Sequence, residues 1–285
     1  MTIRPRKQFG QHWLKSQKAL DTIIFSAELN KSNPQTGTQG DRILEIGPGT
    51  GVLTKRLLPL VDKLLAVEID RDLCKKLVND YGKTDNFLLL EGDFLELNLP
   101  EILQPFPDFL AYNKVVANIP YNITGPIIEK LLGTISKPAE KQLDAIVLLI
   151  QKEVGERLTA EPNNKVYGAL TLKVQYLADC EIVCTVPARD FYPPPKVDSV
   201  VVKITPRNLV NPAKNPAFLD SLIKLGFSSR RKMLKNNLKS LISAEKLNDT
   251  LEKLNLNPHA RAENLSLEEW INLSNYLTSV GFKNI

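Results

Sequence analysis

Four consecutive residues, Asn118-Ile119-Pro120-Tyr121, bring together a side-chain amide, a backbone carbonyl, a rigid turn and an aromatic ring. They follow the apolar run Val115-Val116-Ala117 and precede a stretch, 124–132, with helical apolar spacing. That order sets them at the carboxyl end of a predicted strand, where open α/β sheets line their ligand crevice. The set suits a flat base held by its face while an exocyclic amino group is gripped by its two hydrogens. Such an amine is a poor nucleophile on adenine, because its lone pair is delocalised into the ring. Hydrogen bonds from both N–H groups, to the Asn118 amide oxygen and the Ile119 carbonyl, favour a pyramidal nitrogen whose lone pair points at an electrophile. Pro120 fixes the direction of that carbonyl, and Tyr121 stacks on the base. Catalysis of this kind is positioning plus electrostatic stabilisation and needs no strong general base. The bland alternative is a strand-to-helix turn with Asn as the turn former.

The elements upstream must then supply an electrophile. Residues 42–46 read as a buried strand that runs into Gly47-Pro48-Gly49-Thr50-Gly51 and a helix predicted over 52–60. Glycines there permit a tight turn and let a ligand approach the backbone, while a helix start offers free amide donors. The spacing departs from the dinucleotide fingerprint, because the third glycine comes one residue early. Glu68 follows Gly47 by 21 residues, at the end of a strand predicted over 63–69. An acid there can accept both hydroxyl protons of a ribose; otherwise Glu68 and Asp70 merely cap a helix starting at Arg71. A third strand, 86–90, ends in Glu91-Gly92-Asp93-Phe94, with Asp93 to accept from a cofactor's adenine amino group and Phe94 beside the ring. Nucleotide and S-adenosylmethionine binders share this chemistry.

Residues 4–18 carry five basic groups and no acid, interrupted by Phe9-Gly10-Gln11-His12-Trp13-Leu14. Phe9, Trp13 and Leu14 would be costly to leave in water, so this arm is expected to fold over something rather than trail free. A helix is expected over 19–29 and a polar loop over 33–40. Later come a strand over 144–151, a helix over 153–160 and a polar loop, 161–165, read as a mobile lid or a plain surface loop. Phe191-Tyr192-Pro193-Pro194-Pro195-Lys196-Val197-Asp198-Ser199 then enters a strand over 200–204. Consecutive prolines hold an extended, rigid segment. A base to be modified must leave its stack, so Phe191 is expected to face Tyr121 across it; the alternative is a proline-stiffened hairpin with Phe191 in the core.

Residues 206–216, rich in proline and asparagine, read as a linker, which divides the chain into 1–206 and 207–285. Helices are expected over 217–225, 229–241, 244–254 and 266–278, the last opened by a Ser266/Glu269 capping box. Lys224, Arg230, Arg231, Lys232, Lys235 and Lys239 fall in a stretch without an acid. Phosphate contacts would explain such a run better than a solvated helix face with no opposite charges to pair.

Bulk properties set the outer bounds. A chain of 285 residues with 43% hydrophobic and 24% charged residues belongs to the globular class. Its net charge of +5 permits a nucleic-acid partner without requiring one. The apolar runs are too short to span a bilayer, and Met1-Thr2-Ile3-Arg4-Pro5 opens no signal peptide. Cys74, Cys180 and Cys184 have neither paired nor zinc-site spacing, which favours a reducing, cytoplasmic setting. No metal site is expected, and His259 has no partner at ligand spacing.

Taken together, these motifs in this order resemble the S-adenosylmethionine-dependent adenine N6,N6-dimethyltransferases of small-subunit ribosomal RNA, the KsgA group, over nearly the whole chain. The resemblance rests on the segments 9–14, 45–51, Glu68, 92–93, 118–122 and 191–199. It implies a Rossmann-like α/β methyltransferase sheet followed by a small all-helical carboxyl-terminal domain. It implies a cofactor site of Gln11, His12, Leu14, Gly47, Gly49, Glu68, Ile69, Asp93, Phe94 and Asn118, and catalysis by Asn118, Ile119, Pro120, Tyr121 and Phe191. Arg230, Arg231, Lys232 and Lys235 would face RNA. The family often has Asn at the position of His12 and Phe at that of Trp13; both changes keep a polar contact and an aromatic wall. The implied activity is methylation of two adjacent adenosines near the 3′ end of small-subunit RNA, by a monomer with the immature subunit as its partner. Rival readings are a large-subunit methyltransferase of the antibiotic-resistance type, a non-catalytic assembly factor, and an NAD-linked oxidoreductase, which the glycine spacing disfavours.

Overall fold

The computed structural model describes residues 4–141 and 143–282. Met1-Thr2-Ile3, on which the reading of a leaderless start rests, lie outside the described residues. Among the described residues nine strands form two sheets: β1 Trp13–Leu14, β2 Arg42–Ile46, β3 Lys63–Glu68, β4 Phe87–Glu91, β5 Lys114–Asn118, β6 Ala145–Gln151, β7 Ala178–Val186, β8 Phe191–Tyr192 and β9 Ser199–Pro206.

Seven of them make one sheet in the order β4-β3-β2-β5-β6-β9-β7. The pairs from β4 to β6 are parallel and β9 runs antiparallel to β6. Residues such as Ile43, Leu44, Leu64, Leu65, Val115, Val116 and Leu148 are at most 1% exposed. Near-continuous apolar runs of this kind are what strands covered on both faces require. Helix Gln17–Ser26 packs against β6 and β9, and helix Arg71–Tyr81 against β3 and β4. Chain order reverses between β2 and β5, which makes their carboxyl ends the switch point of a Rossmann-like α/β sheet.

Helix Thr124–Leu132 and strand β2 lie where periodicity predicts them. The helix expected over 52–60 divides into a single turn, Thr54–Leu57, and a 3-10 turn, Leu58–Leu60, because Pro59 has no amide to donate to a continuing α-helix. Strand β7 and helix Ala169–Leu177 have no counterpart in the sequence reading. As the sheet's last strand, β7 is mostly exposed or half-buried, so its sequence lacks a clean alternation.

The chain forms two compact units, one of residues 1–131, 141–155 and 180–206, the other of 132–140, 156–179 and 207–285. The helices after Pro206 therefore share their core with earlier segments. In that core Trp270 Nε1 donates to the Ala262 carbonyl at 3.3 Å and Tyr167 Oη to the Leu265 carbonyl at 3.0 Å. The Ser266/Glu269 capping box forms as expected, with reciprocal bonds of 3.3 and 2.7 Å. The helix expected over 229–241 does not form; only Leu234–Asn237 makes a turn. Its backbone is claimed elsewhere, since Leu234 N donates to the Ala260 carbonyl at 2.8 Å and Asn237 Nδ2 to the Ser229 carbonyl at 3.0 Å.

Candidate functional site

The carboxyl ends of β2, β3, β4 and β5 open on a cavity of about 250 Å³. Asn118 is the last residue of β5, so the tetrapeptide begins where the sheet stops. Asn118 Nδ2 donates to the His12 carbonyl at 3.3 Å, and its Oδ1 accepts no hydrogen bond among the described residues. Pro120 has φ −59° and ψ 138°, and the Ile119 carbonyl accepts no hydrogen bond among the described residues. Two acceptors thus stand free at one rim. Tyr121 is held by a 2.7 Å bond between its hydroxyl and Ser199 Oγ, and burial pushes its hydroxyl pKa up. Its ring lies at 17° to the His12 imidazole, with centroids 5.9 Å apart.

The glycine loop turns at Gly47 and Gly49, whose φ values of +66° and +60° are left-handed and ordinarily glycine's. Glu68, 4% exposed, accepts from Gly49 N and Asp70 N, both at 2.9 Å. Each of its oxygens keeps a second lone pair for a donor such as a ribose hydroxyl. Burial holds the Glu68 carboxyl above the usual range. Asp70 does cap the helix at Arg71, accepting from Asp72 N at 3.0 Å, so the capping alternative holds for Asp70 and not for Glu68. Asp93 Oδ1 accepts from Leu95 N at 2.8 Å, and buried Phe94 stands beside it.

The amino-terminal arm closes the other side. Arg6 Nη1 and Gln11 Nε2 both donate to buried Asp70 at 3.0 Å, and Arg6 also pairs with Asp72. A methyl group on Gly10 would stand only 3.5 Å from Pro120 Cβ, so the arm crosses directly over the tetrapeptide. Gln11, His12, Leu14, Gly47, Gly49, Glu68, Ile69, Asp93, Phe94 and Asn118 all line the cavity, as do Ile119, Pro120 and Tyr121.

Phe191 does not line it. The expectation that Phe191 forms the second face of a base sandwich is corrected by its 1% exposure in the apolar core. The cause is strand period: β8 pairs antiparallel with β1, setting Leu14 opposite Phe191 and Trp13 opposite Tyr192. Leu14 and Phe191 share the buried face, while Tyr192 is 56% exposed. The proline-rich segment instead braces the arm, its Pro193 carbonyl accepting from His12 Nδ1 at 2.7 Å.

Three features escaped the sequence reading. Glu45, 1% exposed on the cavity wall, accepts from Thr54 Oγ1 at 2.7 Å through one oxygen and has no partner for the other among the described residues. Burial pushes its carboxyl up to about 8; an acid inside an apolar strand is the signal that could have found it. Trp13 Nε1 is likewise buried without a partner among those residues. Lys130 donates to the carbonyls of Phe94, Leu95 and Leu97 at 2.6, 2.9 and 3.0 Å, tying the loop that carries Asp93 to helix Thr124–Leu132. No local pattern announces a lysine whose partners are main-chain carbonyls.

Within the second unit Arg230 donates to the carbonyls of Lys165 and Tyr167, which spends it on a loop, whereas Arg231 and Lys232 are exposed and Lys235 half-buried. The loop 161–165, read as a mobile lid or a plain surface loop, is pinned there: Asn163 N donates to the Glu263 carbonyl at 2.8 Å and its side chain accepts from Asn264 at 2.8 Å. No helix among the described residues is long and apolar enough to cross a membrane.

The cavity's polar lining fits a cationic, nucleoside-bearing cofactor. It presents Glu68, Asp93 and Glu45, the last held largely in its neutral form by burial, and neither lysine nor arginine among the described residues. A free dinucleotide's phosphates would meet acids there; a sulfonium would meet attraction.

The chain is similar to proteins of known kind over nearly its full length. It is 61% identical over 275 residues to the ribosomal RNA small subunit methyltransferase A of Nostoc punctiforme, covering 96% of each chain. To the protein of the same name from Synechocystis it is 54% identical over 277 residues, covering 97% of this chain and 98% of the other. Among solved structures, a dimethyladenosine transferase from Plasmodium falciparum superposes with a TM-score of 0.78 at 29% identity, over 96% of this chain and 100% of that one. The 23S rRNA methyltransferase ErmE shares the fold, with a TM-score of 0.70 at 24% identity over 93% and 99%. The family described as ribosomal RNA adenine dimethylase matches residues 3–279, and this chain is a member of it.

Proposed function

We propose that the chain transfers methyl groups from S-adenosylmethionine to N6 of adenine in small-subunit ribosomal RNA, acting on two adjacent adenosines near the 3′ end. The observation that carries this reading is the pair of free acceptors, Asn118 Oδ1 and the Ile119 carbonyl, at the rim of the cavity. Both N–H groups of a primary amine need an acceptor if its lone pair is to leave conjugation, and here two stand side by side. Tyr121 offers a flat face, fixed by Ser199 so that little rotational freedom is lost on stacking.

When bound, the cofactor supplies an electrophilic methyl group. Asp93 and Phe94 would hold its adenine, Glu68 its ribose, and the loop at Gly47 and Gly49 its amino-acid end, with His12, Leu14, Gln11 and Ile69 completing the wall. No residue at the rim needs to take a proton before attack, since methylation itself makes the nitrogen acidic. The exposed Arg231 and Lys232, with Lys235, would meet RNA phosphates in the second unit. The names of the small-subunit relatives favour that subunit over the large one. The immature small subunit is the expected partner, and a cytoplasmic monomer the expected form.

Incubation with unmethylated small and large subunits and labelled S-adenosylmethionine, followed by nucleoside mapping, tests the proposal. Label as N6,N6-dimethyladenosine in small-subunit RNA is the expected result. Label confined to large-subunit RNA, or on another base, would overturn it.

A further inference from the structure

We propose that the indole N–H of Trp13 is the donor that receives the carboxylate of S-adenosylmethionine's methionyl end, an assignment that rests on the cofactor reading above. The elongated cofactor has three grips in sequence: Asp93 and Phe94 for the base, Glu68 for the ribose, and the glycine loop beyond. Glu68 is itself bonded to Gly49 N, so the ribose grip and the loop are adjacent. The amino-acid end therefore falls between Gly47-Pro48-Gly49 and the arm segment that carries Trp13, all on the cavity wall.

That end carries an ammonium and a carboxylate. The lining is acidic overall and holds no lysine or arginine among the described residues, so the carboxylate meets no cation there. Neutral donors must serve it, and most are already committed. Gln11 Nε2 donates to Asp70, Asn118 Nδ2 to the His12 carbonyl, and His12 Nδ1 to the Pro193 carbonyl. On the loop, Gly47 N donates to the Val67 carbonyl, Gly49 N to Glu68 and Gly51 N to the Pro48 carbonyl.

The side chains of Gln8, Thr50 and Asn122 also line the wall, but they are exposed or half-buried and can meet water; Trp13 Nε1 is buried there with no acceptor among the described residues. It lies beside the loop: a Cβ on Gly49 would stand 3.8 Å from it. The ring is held in place because Trp13 pairs with Tyr192 across β1 and β8, their rings 6.5 Å apart. A rigid N–H kept from water and lacking a partner is a preorganised donor, and a ligand oxygen satisfies it.

Calorimetric titration of wild type and Trp13→Phe with S-adenosylmethionine, S-adenosylhomocysteine and 5′-methylthioadenosine separates the possibilities, because the third ligand keeps the nucleoside and lacks the carboxylate. The expected result is a loss on the order of tenfold for the first two and no change for the third. Equal losses for all three, or none, would overturn the assignment and leave the ring an apolar wall. In the unsubstituted protein, the Trp13 indole proton resonance should move downfield with the two carboxylate-bearing ligands and not with methylthioadenosine; a resonance indifferent to the carboxylate would contradict it. Wild-type protein that binds neither carboxylate-bearing ligand would overturn the cofactor reading and this assignment with it.

Discussion

Two strings in one unit have the same ingredients, proline beside an aromatic ring: Asn118-Ile119-Pro120-Tyr121 and the segment from Phe191 to Ser199. The first ends a parallel strand and leaves two acceptors and a ring on a cavity. In the second, Phe191 is buried, the Pro193 carbonyl holds His12, Asp198 Oδ1 accepts from Ala188 N at 2.9 Å, and Ser199 bonds Tyr121. The first string keeps two acceptors free among the described residues, Asn118 Oδ1 and the Ile119 carbonyl, and the second spends the groups just named. What separates a site from its brace is therefore the state of the hydrogen-bonding groups, which residue types alone do not disclose.

The largest expected effect falls on the brace. Phe191→Ala should cost about 3–5 kcal/mol of stability and Phe191→Leu less than about 1.5 kcal/mol, read by denaturant unfolding. A stable Phe191→Ala variant without turnover would break the comparison, because it would give Phe191 the substrate role. Next, Asn118→Ala should lower the transfer rate by roughly 10²–10³-fold while unfolding changes little, since the one side-chain bond lost is 3.3 Å long. Smaller again, Lys130→Met frees three carbonyls of the adenine-side loop. It should weaken S-adenosylmethionine and 5′-methylthioadenosine alike, by about 1 kcal/mol, in calorimetric titration. Equal affinity in that variant would show that the loop holds its shape without the lysine.

The smallest effect is a slope with pH. The folded Glu45 carboxyl titrates near 8 instead of its usual 4.5, because burial disfavours its charge. Its raised value means the protonated form stabilises the fold. That contribution is whole below about 4.5 and is lost as pH rises through about 8. The melting temperature of the ligand-free protein should therefore fall across that window, and Glu45→Gln should flatten the fall. An unchanged slope would mean that another group, Glu68 first, carries it.

The site's skeleton was legible because it is written in local rules. Glycines at 47, 49 and 51 after an apolar run, Glu68 and Asp93 after later ones, and Asn118 at the end of β5 all follow from strand period and punctuation. Phe191 was misread because the direction of its ring is set by pairing with Leu14, far away in sequence. The basic run from 224 to 239 kept its composition and lost its predicted helix, since Leu234 N bonds to the distant Ala260 carbonyl and the Asn237 amide reaches back eight residues to the Ser229 carbonyl, a spacing no helix uses. Lys130 and the unpartnered atoms of Glu45 and Trp13 become visible only when distant elements meet.

The most direct test sets the two strings side by side in single-turnover methyl transfer to small subunits, with cofactor saturating and unfolding measured on the same samples. Asn118→Ala is expected to keep its stability and lose the rate, whereas Phe191→Leu keeps the rate and loses some stability. A wild-type rate in Asn118→Ala, or a lost rate in a fully stable Phe191→Leu, would contradict it.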